Sequence, residues 1–169
     1  GLKLKTLFPK NLNWAVFDVN YMRGKYYLST FYGLYVYDEE AEAFTARINT
    51  SGEIQSPHAA GSIDPVYKTE LTGDTLWAST HRGLMHVDLM LNTGGHHLSH
   101  HDQFKPRGLS IGDDRIWVGT ELGLYSFDPG SSSWGHYNMS DGLISNYVTD
   151  ILADEDYIWV GTKLGLTRI

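Results

Sequence analysis

The chain has 169 residues, 20 acidic against 13 basic side chains for a formal charge of −7, and no cysteine. Disulfides, zinc–thiolate sites and thiol nucleophiles are therefore excluded, and with no basic track nucleic acid is not expected as a partner. No apolar run approaches the roughly 18 residues of a membrane-spanning helix, so no membrane insertion is expected, and the length suits a single domain over 1–169 that buries about 70% of its unfolded surface.

In chain order, Leu2 to Phe8 reads as an outer strand, and Asn11 to Trp14 as the polar loop that follows it. The first repeated phrase runs from Tyr27 to Leu34 (YLSTFYGL), and copies follow at Trp77 to Leu84 (WASTHRGL), Trp117 to Leu124 (WVGTELGL) and Trp159 to Leu166 (WVGTKLGL). Their threonines, Thr30, Thr80, Thr120 and Thr162, are 50, 40 and 42 residues apart. A period near forty in a chain with 13% aromatics and 18 dispersed glycines signals radially repeated four-stranded sheets.

The last copy spells out the unit. Tyr147 to Leu152 alternates as a strand, Asp154 to Asp156 is a polar turn, and Tyr157 to Gly161 is a second strand; Leu166 to Ile169 begins a third. The preceding copy continues with Leu124 to Asp128, a turn at Pro129 to Ser132 and a fourth strand through Trp134 and Tyr137. The expected architecture is all-β: a β-propeller of four four-stranded antiparallel blades at about 14–48, 65–99, 107–138 and 146–169, the last completed by strand 2–8. The alternatives are half of an eight-bladed ring formed by two chains, or a fragment of a larger propeller. In solution these correspond to a monomer or a homodimer.

Each repeated residue has a structural task. Trp77, Trp117 and Trp159, with Tyr27 in the first copy, are wide enough to fill the space between neighbouring sheets. Gly33, Gly83, Gly123 and Gly165 are expected to supply positive φ in a tight hairpin, and the threonine hydroxyls to bond backbone groups in the same turn. Asp38, Asp88 and Asp128 follow apolar strands, where an aspartate satisfies turn amides.

The pattern Leu/Ile-Trp-Val-Gly-Thr-x-x-Gly-Leu, closed by Phe/Tyr-Asp, resembles the two-component regulator propeller repeat. It is fullest at Ile116 to Asp128 and Ile158 to Ile169, and partial at Leu76 to Asp88 and Tyr26 to Asp38. Asp141-Gly142-Leu143 followed by Asn146 to Asp150 is similar to the segment that joins repeats in that family. The resemblance implies a sensor-type propeller in a periplasmic or extracellular setting. It does not cover a kinase module or a membrane helix.

In a propeller, one rim gathers the turns between second and third strands and the loops that lead into each blade. The turns offer Tyr32, His81, Arg82, Glu121 and Lys163, varied side chains on a constant scaffold, which is where recognition tends to reside. Together they suit a small polar ligand such as a carbohydrate or carboxylate; a protein partner engaging the loop Gly52 to Pro65 is the other reading. A glycan-active lyase or hydrolase would use His81, Arg82 and Glu121, but no nucleophile elbow or phosphate loop is present, and nothing calls for a cofactor. His96, His97, His100 and His101 form the one cluster that invites a metal. Four residues of strand span about 13 Å, so the two pairs meet at one ion only if the chain turns between them. A polar edge strand accounts for the cluster equally well.

Overall fold

The computed structural model describes residues 15–59, 63–98, 104–112 and 114–169. The expected strand 2–8 and the loop 11–14 lie outside the described residues. The described chain folds into four antiparallel sheets. The first holds β1 (Val16–Met22), β2 (Lys25–Thr30), β3 (Gly33–Asp38), β4 (Ala43–Ile48) and the two-residue β5 (Ile54–Gln55). The second holds β6 (Val66–Thr72), β7 (Thr75–Thr80), β8 (Gly83–Asp88) and β9 (Thr93–Leu98). The third holds β10 (Pro106–Ile111), β11 (Ile116–Thr120), β12 (Gly123–Asp128) and β13 (Ser133–Tyr137). The fourth holds β14 (Val148–Ala153), β15 (Ile158–Thr162) and β16 (Gly165–Arg168). Each is a meander with neighbours paired in sequence order, the form of a propeller blade.

The hairpin between second and third strands is built the same way four times. Thr30 Oγ1 donates to the Gly33 carbonyl at 2.8 Å and accepts from the Tyr32 N–H at 3.0 Å. Thr80, Thr120 and Thr162 repeat the pair. Gly123 shows why the phrase needs glycine: its φ is +135°, and a Cβ there would stand 2.4 Å from the Tyr137 carbonyl oxygen. The aspartates cap the turns that follow. Asp38, Asp88 and Asp128 each accept two backbone N–H groups at 2.8–3.2 Å through one carboxylate oxygen.

The innermost strands β1, β6, β10 and β14 pack side by side in that order, and the core lies in the seams between sheets. Tyr27 packs with Leu34, Val66, Leu76 and Met85 in the first seam. Trp77 packs with Leu84, Leu109, Tyr125 and Phe127 in the second, and Trp117 lies against Leu124, Val148 and Ile151 in the third. Each buried leucine of these seams contributes about 1.5–3 kcal/mol by leaving water. Polar side chains lock the inner strands together. Asp18 accepts from the Thr69 N–H at 2.8 Å and Asn20 donates to the Thr69 carbonyl at 2.9 Å. Glu70 accepts from the Ile111 N–H at 3.1 Å, and Ser110 from the Ala153 N–H at 2.9 Å.

Two features depart from the simple repeat. The stretch expected as a loop from Gly52 onward contributes β5, which pairs Ile54 with Ile48 and gives the first sheet a fifth strand. Trp159 differs from Trp77 and Trp117, since among the described residues no later sheet follows it; its Nε1 donates to Asp154 Oδ2 at 2.8 Å.

Candidate functional site

The four hairpins between second and third strands bring different side chains to the rim. Tyr32 turns back over its own sheet, packing beside Leu28, Tyr35 and Tyr37, while its carbonyl accepts from the Arg47 Nε–H. His81 and Arg82 are exposed on the second hairpin. Glu121 and Lys163 meet at a single residue, Tyr147. The Tyr147 hydroxyl donates to Glu121 Oε1 at 3.2 Å, and Lys163 Nζ lies 3.5 Å from the centre of its ring. The five expected rim residues are thus distributed as one converging pair, two exposed side chains and one that faces its own sheet.

Arg107 completes the converging group. Its Nη2 forms an ion pair with Glu121 Oε1, and its guanidinium carbon lies 5.7 Å from the centre of the Tyr147 ring. The hydrogen bond from Arg107 is the main cause that holds the Glu121 carboxyl below the ordinary carboxylate range, with partial desolvation acting the other way. A carboxylate kept ionised in this way serves as an acceptor and electrostatic anchor; it is a poor proton donor at neutral pH.

Arg107 reaches the rim because the inner strand bulges there: the register of β10 on β11 shifts between Pro106 and Gly108. The same shift occurs in each sheet and presents Phe17, Tyr67 and Thr149. Phe17 stacks on Tyr67 with ring centres 5.6 Å apart, and meets Phe31 edge-on at 4.7 Å. Burial raises the Tyr67 hydroxyl's pKa, and the positive charge of Arg107 opposes it. The rim therefore carries a row that runs from aromatic (Phe31, Phe17, Tyr67) to charged around an aromatic (Arg107, Glu121, Tyr147, Lys163).

The loop leading into the fourth sheet is held rigid beside this row. A single 3-10 turn, Met139–Asp141, is capped by Asn138, whose side chain accepts from Ser140 N–H at 2.8 Å while Asp141 accepts from Asn138 N–H at 2.9 Å. Gly142 leaves the turn at φ +109°, Leu143 buries into the third seam, and Asn146 accepts from the Met139 N–H at 2.8 Å. Lys163 N–H then donates to the Tyr147 carbonyl at 3.1 Å, tying the loop to the hairpin.

Of the histidines, His97 enters the second seam, where its Nε2 lies 3.1 Å from His86 Nδ1 and its ring packs against Trp77 and Phe127. His96 faces solvent, and His100 and His101 lie outside the described residues. Among the described residues no three metal-capable side chains gather at one point, and no helix there is long and apolar enough to cross a membrane.

The capped Asp141-Gly142-Leu143 turn, the Tyr147 strand and the Trp159 hairpin form one continuous segment, and the two component regulator propeller profile matches residues 142–163. Over those residues the chain is similar to a two-component regulator propeller repeat. No curated relative matches the chain. Solved structures similar to this repeat protein include a protein described as the extracellular domain of a hybrid two component system from B. thetaiotaomicron, at 18% identity and a TM-score of 0.66, covering 92% of this chain and 20% of that one. The computationally designed Ika4 protein matches at 13% identity and a TM-score of 0.66 over 99% of this chain and 98% of its own. The designed Ika8 protein matches at 13% identity and a TM-score of 0.65 over 91% of this chain and 45% of its own. The propeller repeats described here thus span about a fifth of the first of these proteins, all of Ika4 and nearly half of Ika8. At these identities the likeness is one of fold.

Proposed function

We propose that this chain is a non-catalytic recognition module of the sensor-propeller type, which binds a small polar ligand on the rim around Tyr147. The observation that supports this reading is the convergence of Arg107, Glu121 and Lys163 on that one ring from three separate elements. An aromatic row with two cations and one fixed carboxylate at its end suits an acidic carbohydrate. Aromatic faces cover the apolar face of a sugar ring, a guanidinium pairs with a carboxylate, and Glu121 accepts from hydroxyls. The likeness to an extracellular domain supports an extracytoplasmic setting, where such sugars are met.

The depressed Glu121 carboxyl favours binding over acid catalysis. Titration calorimetry with uronate-containing oligosaccharides, followed by a product assay on any that bind, separates the readings. Saturable heat without product release agrees with a recognition module. Release of cleaved product would replace it with the glycan-active reading. No heat from any acidic or neutral oligosaccharide would remove the carbohydrate assignment.

A further inference from the structure

The three seams between successive sheets are filled by the same columns of side chains, and the first seam is filled least. The wide ring on the second strand is Trp77 or Trp117, but Tyr27 in the first seam. On the fourth strand, the residue opposite the signature leucine is His97 against Leu84, Tyr137 against Leu124 and Ile48 against Leu34. The His97 ring lies 5.6 Å from that of Trp77, and the Tyr137 ring 5.9 Å from that of Trp117. Ile48 offers no ring, and Tyr27 has no aromatic neighbour among the described residues.

A cavity of about 260 Å³ remains in that place. Its walls are Tyr27, Val36, Ala46 and Ile48 of the first sheet and Val87 of the second. The register puts the first-sheet residues on one face, with Tyr27 opposite Val36, Val36 opposite Ala46, and Ile48 opposite Ile54. The feature that sets the first sheet apart, β5, borders the cavity too. Ile54 lines it, and the segment leading into β5 presses on the second sheet, where a Cβ on Gly52 would stand 2.5 Å from the Gly95 nitrogen. In the third seam the equivalent space is closed. Gly135 holds the position of Ala46, and a Cβ there would stand 3.5 Å from Tyr137 Cε2 and from its hydroxyl oxygen, so the tyrosine ring lies over it.

We propose that this cavity binds a small aromatic monocarboxylate, whose ring takes the place that His97 and Tyr137 fill in the other seams and whose carboxylate meets Lys25. Lys25 stands two residues before Tyr27 on the same strand face and is the only charged side chain among the described residues that line the cavity. Its ammonium is 3.8 Å from Asp38 Oδ2, beyond hydrogen-bond distance, while Asp38 Oδ1 accepts from the Glu40 and Ala41 N–H groups. The ammonium therefore has donors to give to an incoming anion. Tyr27, only 6% exposed, supplies the ring face, and its hydroxyl has no hydrogen-bond partner among the described residues. A void of about 150 Å³ is enough for benzene, so this one has room for a ring with a short acidic chain, about ten non-hydrogen atoms in all.

The cavity shares no residue with the rim around Tyr147, so the two assignments stand or fall separately. Phenylacetate is the probe. Titrated into the isotope-labelled chain, it should shift the amide signals of Tyr27, Ala46, Ile54 and Val87 saturably, with a dissociation constant of about 1 mM or below, and leave those of Tyr147 and Lys163 in place. Ile48→Phe puts a ring back into the seam and should abolish the shifts while the β-sheet circular dichroism is kept. Ala46→Leu fills the same space from the neighbouring position and gives the same reading if Ile48→Phe does not fold. Lys25→Gln should weaken phenylacetate about fivefold or more, and 2-phenylethylamine, with the same ring and the opposite charge, should bind the parent chain more weakly by at least as much. Absence of a saturable shift up to about 10 mM phenylacetate, shifts that persist in folded Ile48→Phe or Ala46→Leu, or equal affinity for the amine or in Lys25→Gln would overturn the proposal.

Discussion

Lys163 and Tyr147 are tied twice, by a 3.1 Å hydrogen bond from the lysine N–H to the tyrosine carbonyl and by the ammonium 3.5 Å from the ring centre. The first contact fixes where the loop into the fourth sheet meets the hairpin. The second fixes how the ring is presented to the rim. Replacing Tyr147 separates the two roles. Tyr147→Phe keeps the ring and removes the hydroxyl bond to Glu121, so thermal stability should fall by no more than about 1 kcal/mol and oligosaccharide affinity should change little. Tyr147→Ala should remove measurable binding in calorimetry while leaving a folded chain.

Gly123 and Gly24 both have positive φ but differ in surroundings. Gly123→Ala drives a Cβ to 2.4 Å from the Tyr137 carbonyl oxygen, whereas nothing lies within 4 Å of a Cβ at Gly24. Chemical denaturation should show a loss of more than about 2 kcal/mol for Gly123→Ala and only about 1 kcal/mol, the cost of the left-handed backbone alone, for Gly24→Ala.

The signature threonines are not equivalent either. Thr120 is fully buried, and its hydroxyl serves both the Gly123 carbonyl and the Leu122 N–H. Thr120→Val strands both groups and should cost about 1–3 kcal/mol. Thr162 makes the same bonds where water can replace them, so Thr162→Val should cost less than half as much in the same melts.

Much of this was legible in the chain before its structure. The spacing of Thr30, Thr80, Thr120 and Thr162 marked four like units, and the roles expected for Gly33, Asp38 and Trp77 are those the structure shows, because turn chemistry and wide seam-filling rings are local properties of a short phrase. The rim was harder. Arg107 and Tyr147 lie outside the repeated phrase, and Arg107 reaches the site only through a bulge. A signal existed: Phe17, Tyr67, Arg107 and Thr149 each stand ten residues before Tyr27, Trp77, Trp117 and Trp159. The loop ending at Arg107 was expected on that rim, and reading this column beside the hairpin column would have singled out Arg107 within it. Nothing in the sequence tells that Tyr32 folds back over its own sheet, since that depends on space beside Leu28 and Tyr37. The histidine run behaves likewise, because only tertiary packing pairs His97 with His86 of the neighbouring strand.

That pair gives the chain a pH response. Burial is the main cause that lowers the pKa of both His86 and His97, with His86 and His96 adding to the effect on His97 and Asp88 opposing it at His86. A histidine whose folded-state pKa lies below its unfolded value stabilises the fold fully above about pH 6.5. That stability is lost as the pH falls from there through the lowered folded-state values. Denaturation midpoints should therefore drop between pH 7 and pH 5, and His97→Phe should flatten the drop. An unchanged pH profile in that variant would assign the response to other groups.

The central proposal is that the rim around Tyr147 holds the ligand. Amide chemical-shift mapping of the isotope-labelled chain, titrated with an oligouronate that calorimetry shows to bind, tests it most directly. The largest changes should centre on Arg107, Glu121, Tyr147 and Lys163 and fade towards Phe17. Changes centred instead on the opposite rim, at Asp114 and Asp154 to Tyr157, would contradict it.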